Sequence, residues 1–238
     1  MPKSSRVLLN VRRFKQKPAE CAIAVTASIA NYFDPTVDYE DVRNMLYARE
    51  KKDGLWSSQQ AQLLNDLGFS SVELVTADSD MMDFSWSNLS KARKIDKLNK
   101  KATYYLKSGD RYSRDRALHL ANWLAQDDCD NTLTIDWDFA KHIRKHLNAK
   151  RPVGAAINWT TYWRKPKSFR GLSNDIRGEK EEHAVVLRGY DHVGLFVVDS
   201  HSQCYTGKLS KYKRGYYKVP WEHFLVNMPE GDLIIARP

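Results

Sequence analysis

Residues 21–33 read Cys-Ala-Ile-Ala-Val-Thr-Ala-Ser-Ile-Ala-Asn-Tyr-Phe, and no other stretch constrains the fold as strongly. Only Thr26, Ser28 and Asn31 interrupt the apolar run, so the spacing predicts a helix with almost no polar face. A helix of that kind has to be covered on every side, which places it at the centre of the fold. Asp34-Pro35 ends it, because proline lacks an N–H and its ring excludes a preceding helical turn. Cys21 stands at its first position. There the unpaired backbone N–H groups and the helix dipole favour negative charge, which lowers the pKa of a thiol.

The last third of the chain changes period. Residues 183–189, 194–199, 215–219 and 232–236 read as strands, with a helical turn over 221–225. His183 heads the first of these strands and Asp199 closes the second. A hairpin turning over 191–194 pairs positions whose numbers sum to about 382, which puts His183 directly opposite Asp199. Cross-strand neighbours have Cβ atoms about 4.5–5.5 Å apart, close enough for a carboxylate to orient an imidazole. Thiol, imidazole and carboxylate together form a nucleophilic relay. Each residue also has a plain structural reading: a small buried thiol, a polar strand end and a turn-forming Asp.

Between these landmarks the pattern predicts a short strand over 6–11 and helices over 39–50, 57–67, 115–125 and 136–148. It also predicts strands over 71–76 and 152–159. Asp38 caps the second helix, and Gly68 sits where a C-terminal cap belongs. Residues 77–135 read as a helical insertion within a single domain spanning 1–238, and 160–182 as a long loop.

Several motifs here resemble the papain-like cysteine peptidases, most closely the branch that removes double-glycine leaders from bacteriocin precursors. They are Gln16-Lys-Pro-Ala-Glu-Cys21-Ala, Gly54-Leu-Trp-Ser to Leu67-Gly-Phe69, Arg151-Pro-Val-Gly-Ala-Ala-Ile157 and His183-Ala-Val-Val-Leu-Arg-Gly-Tyr-Asp191. Phe196-Val-Val-Asp199, Trp221-Glu-His-Phe224 and Gly231-Asp-Leu-Ile-Ile235 complete the set, which skips 77–135. The resemblance implies an α+β, papain-like fold: a helical layer led by the Cys21 helix on an antiparallel sheet. It implies Cys21 as nucleophile, His183 as base and acid, Asp199 as the residue orienting His183, and Gln16 as an oxyanion donor. The substrate would be a peptide or protein, and no cofactor is called for. Three positions depart from the family pattern: Ala22 stands for the usual Gly, Glu20 for Asp or Asn, and Ser200 for Pro. Those departures also fit a pseudoenzyme or adaptor that binds a peptide without cutting it.

Trp159 and Trp163 flank the long loop and Glu182 precedes His183, which makes all three candidate substrate contacts. His142 and His146 are spaced to share a helix face, but Ile143 stands where a zincin has Glu. A solvated face, with no metal, is the expectation there. Thirty-eight Lys and Arg against 29 Asp and Glu give a formal charge of +9, which favours an acidic partner or nucleic acid. The segment 205–218, with five Lys and Arg, four Tyr and no acid, is the candidate surface, beside the basic run 91–101. Three cysteines, no Cys-x-x-Cys, no secretory apolar stretch and no membrane-length run point to a cytoplasmic protein.

Overall fold

A computed structural model describes residues 6–47, 54–169, 172–201, 215–228 and 231–238. Strand β1 (Val7–Leu8) leads through a polar loop into helix α1 (Cys21–Phe33), followed by α2 (Tyr39–Tyr47) and α3 (Ser57–Asp66). Next come β2 (Ser71–Thr76), a 3-10 turn at Phe84–Trp86, α4 (Lys91–Ser108), α5 (Arg111–Leu124) and β3 (Thr132–Ile135). The chain continues through α6 (Phe139–Asn148), β4 (Val153–Asn158), the one-turn α7 (Trp159–Tyr162) and the hairpin β5 (Ser168–Phe169) and β6 (Leu172–Ser173). It ends with β7 (Glu182–Tyr190), β8 (Gly194–Val198), β9 (Tyr216–Pro220), α8 (Trp221–Leu225) and β10 (Asp232–Arg237).

The main sheet runs β3-β2-β10-β4-β7-β8-β9, with β1 also paired to β7. All its pairs are antiparallel except β2 with β3. The fold is thus α+β, with the helical layer led by α1 packed on a mainly antiparallel sheet. Every side chain from Ala22 to Asn31 is buried, as the apolar run demands. The polar interruptions are satisfied locally: Thr26 donates to Ala22 O at 2.9 Å and Ser28 to Ala24 O at 2.8 Å. Asn31 donates to Val37 O at 2.7 Å, closing the turn after the helix. Val25 and Ile29 are buried against Gly154 of β4, where a Cβ would lie 3.3 Å from one and 3.2 Å from the other. Burying each of these two side chains contributes about 1.5–3 kcal/mol.

Some elements differ from expectation. Only Val7–Leu8 of 6–11 is strand, because β1 fits on β7 only beyond the start of β4, at Gly189 and Tyr190. The second helix is described as far as Tyr47, and 48–50 lie outside the described residues. Residues 77–135 hold the helical pair α4 and α5, but β3 within that range joins the main sheet beside β2. The pair also docks on α3 and the sheet: Trp123 Nε1 donates to Asn65 Oδ1 at 3.0 Å, and Lys94 Nζ to Leu133 O at 2.8 Å. The loop 160–182 contains α7 and the β5–β6 hairpin, which short, turn-rich sequence concealed.

The expected solvated face of α6 is overturned. His142 and His146 are 5% and 0% exposed, because α6 turns them inward against Glu73 of β2. Leu133, Ile143, Leu147 and Val153 complete the core there, so the two polar rings expected on a solvated face are buried among apolar side chains.

Candidate active site

His183 lies near the start of β7, across from Ile157 of β4. Its Nε2 is 2.9 Å from Asp199 Oδ1, and both residues are buried. The two side chains meet, but not by the expected register. Val186 faces Val198, and Tyr190 faces Leu195 after an irregularity between Leu187 and Gly189. Continuing that ladder sets His183 opposite His201, two residues beyond Asp199. The turn pairs Tyr190 with Leu195, a sum of 385, and the irregularity moves the sum to 384 at Val186 and Val198, so the sum of 382 that would pair His183 with Asp199 occurs on neither side of it.

The chain after β8 brings the carboxylate back. Arg13 Nε donates to Asp199 O at 2.6 Å, and its Nη2 donates to Ser200 O at 3.0 Å and His201 O at 2.9 Å. Asp199 N donates to Gly215 O at 2.8 Å. Gly215 has φ 88° and no room for a Cβ against Arg13, so only glycine fits there. Both Asp199 carboxylate oxygens are engaged further: His201 N donates to Oδ1 at 2.8 Å and Tyr217 OH to Oδ2 at 3.2 Å. Arg13 and Tyr217 carried no motif signal, since each acts through a residue far away in sequence.

Cys21 is partly exposed at the first position of α1. Burial works to raise its pKa, but the hydrogen bond and charge of His183, with backbone N–H groups of Ala184 and Ala22, hold it below its usual 9.0. His183 is the mirror case. Burial works to lower its pKa, yet the Asp199 charge and hydrogen bond, with Cys21, push it up to about 10. Asp199 occupies Nε2, which leaves Nδ1 for the sulfur. Both shifts run in the direction that favours a thiolate beside an imidazolium. Cys129 is a contrast within the same chain: burial and the neighbouring Asp128 raise its pKa.

Gln16 belongs to the same cluster. Its backbone N–H donates to Ser200 O at 3.2 Å, and Ser200 Oγ donates to Gln16 Oε1 at 2.7 Å. With Oε1 accepting, the amide turns its Nε2 donor away from Ser200. Glu20, the departure just before the thiol, is buried and accepts hydrogen bonds from Tyr39 OH and from Arg43 Nε, the latter at 3.0 Å. Its charge is therefore directed into α2 rather than at the sulfur.

The candidate substrate contacts separate. Trp159 is only 4% exposed and its ring centre is 4.0 Å from that of His183, so it covers the imidazole. Trp163 is equally buried and packs edge-on to Trp159 and Tyr217. Both tryptophans anchor α7 in the core instead of lining an open groove. Glu182 is exposed, 4.0 Å from Lys180. Its neighbour Glu181 is the one tied into the loop, by ion pairing with Lys165 and a 2.6 Å hydrogen bond from Ser168 Oγ.

Of the basic segment 205–218, residues 205–214 lie outside the described residues. The run 91–101 falls on α4, where Lys100 pairs with Asp96 at 2.8 Å and Lys101 reaches Asp80 O. No helix among the described residues is long and apolar enough to cross a membrane.

Fold and geometry together define a thiol–imidazole–carboxylate site at the head of a buried helix on a mainly antiparallel sheet. The Peptidase_C39 like family model matches residues 8–225, and the chain belongs to that family. A candidate C39-like peptidase from Bacillus anthracis, solved as a crystal structure, is similar over 98% of each chain, at 16% identity and a TM-score of 0.45. No curated protein matches.

Proposed function

We propose that this chain is a cysteine peptidase, or a related thiol acyl-transfer enzyme, acting on a peptide or amide through Cys21, His183 and Asp199. The observation that carries the reading is the hydrogen-bonded run from the Cys21 thiol through His183 to Asp199. Membership of a peptidase-like family supports it and makes a peptide or protein the substrate class. The likeness of the Cys21 and His183 segments to double-glycine leader peptidases makes a leader peptide the first substrate to try.

The thiolate attacks the carbonyl carbon; an S–C bond forms and the carbonyl π pair moves to oxygen. Gln16 Nε2 and the Cys21 N–H, unpaired at the start of α1, donate to that oxyanion. The pair returns, the C–N bond breaks and the leaving amine takes the proton from His183. Water then gives a proton to the neutral His183 as it attacks the thioester carbon. The C–S bond breaks, the acid departs and the thiolate–imidazolium pair is restored. An amine in place of water gives transpeptidation, and a side-chain amide substrate gives deamidation.

Competitive alkylation tests the reading. Iodoacetamide at neutral pH, followed by peptide mapping, is expected to label Cys21 well before Cys129. Peptide hydrolysis is expected to vanish in Cys21→Ala. Equal labelling of the two thiols, together with hydrolysis that survives Cys21→Ala, would sink the proposal.

A further inference from the structure

On the face of β2 opposite α3, three metal-ligating side chains converge. Glu73 and Leu74 alternate along β2; Leu74 lines a small cavity with Ser57 and Ser58 of α3, while Glu73 faces α6. His142 and His146 stand one helical turn apart on α6, both buried. One donor atom from each of Glu73, His142 and His146 lies within 4.8 Å of the others.

The hydrogen bonding around these rings is incomplete. His146 Nε2 is 3.2 Å from Glu73 Oε2, yet it makes no hydrogen bond, and neither does Nδ1. His142 Nε2 is held by Asp136 Oδ2 at 3.0 Å, which leaves its buried Nδ1 without a partner. Buried polar atoms are ordinarily paired, because an unmet one costs about 1–3 kcal/mol. One nitrogen from each ring, beside one carboxylate, points to a shared ligand. Glu73 is itself fixed, by Thr134 Oγ1 at 3.1 Å and Arg237 Nη2 at 2.6 Å.

We infer that Glu73, His142 and His146 form a binding site for a first-row divalent transition metal, zinc by preference, that pins α6 to β2. Two imidazoles and a carboxylate are the donor set such ions select. Zinc bonds of about 2.0–2.2 Å place ligand atoms roughly 3.4 Å apart, so modest side-chain rotation closes the site. Asp136 behind His142 is the outer carboxylate that fixes ring orientation at metal-bound histidines. A metal here also links folding to metal supply, since binding to the folded form adds to stability. The site is independent of Cys21 and of the reaction proposed for it.

The test uses the full chain, stripped with a chelator, as wild type and as Cys21→Ser so that the reactive thiol cannot hold the ion. Equilibrium dialysis against zinc chloride is expected to leave one equivalent bound, and the melting temperature to rise with free zinc. Cobalt(II) is expected to give visible bands of nitrogen and oxygen ligation, without a thiolate charge-transfer band. His146→Gln, checked for folding by circular dichroism, is expected to lose the uptake. Asp136→Asn, on a partly exposed side chain, is expected to weaken it by about 10–100-fold. Absence of stoichiometric uptake, or uptake unchanged in both variants, would overturn the inference and leave Glu73, Arg237 and His146 as an ion-pair network without a metal.

Discussion

Two of the three departures, Ser200 and Glu20, acquire a reason at the level of single side chains. Where Ser200 replaces proline, its hydroxyl reaches Gln16 Oε1 and so sets which end of the amide can donate. Where Glu20 precedes the nucleophile, Arg43 and Tyr39 absorb its charge. The two residues therefore predict different losses. Gln16→Ala removes the proposed oxyanion donor and is expected to lower kcat by about 10²–10³, with KM little changed. Ser200→Ala removes only the orienting hydrogen bond, worth about 0.5–1.5 kcal/mol, so kcat is expected to fall roughly two- to ten-fold. Steady-state kinetics on one peptide substrate distinguishes them, and equal losses would contradict the assigned roles.

Among the elements, α1 and β4 show how packing sets the position of the sulfur. Gly154 lets Val25 and Ile29 close onto the sheet with no Cβ between them. Gly154→Val forces α1 outward and is expected to cost about 1–3 kcal/mol, read as a lower urea midpoint. Because Cys21 rides on the end of that helix, its alkylation rate is expected to fall in the same variant while that of Cys129 holds. The α1 boundaries were legible in full, since a run apolar on all faces admits one reading and Asp34-Pro35 ends it. The β7–β8 register was not. It is set by the turn, where Tyr190 faces Leu195, and then by an irregularity between Leu187 and Gly189, and neither leaves a compositional mark.

Across the whole molecule, the relay joins Gln16 and Cys21 from the first tenth of the chain to His183 and Asp199 from the last quarter, with Trp159 covering the imidazole. The shifted pKa values exist only while those segments are assembled. The proposed mechanism needs thiolate and imidazolium together. It is expected to rise with pH through a thiol pKa below 9.0 and to fall as His183 loses its proton near pH 10. A pH profile of kcat/KM reads both limbs, and in urea the preference of iodoacetamide for Cys21 is expected to disappear. A single limb rising at the pKa of an ordinary thiol would show that no ion pair forms.

What the sequence alone determined was local and repetitive: a central helix beginning at Cys21, strands at 71–76 and 183–189, and the residue types able to act together. Hydrophobic period and turn chemistry are properties of short windows, so they survive without coordinates. Tertiary structure decided the rest. It determined that Asp199 reaches His183 through a turn clamped by Arg13, that Trp159 covers the ring, and that His142 and His146 face inward. Those outcomes rest on contacts between segments tens to nearly two hundred residues apart, whose energies no local pattern encodes.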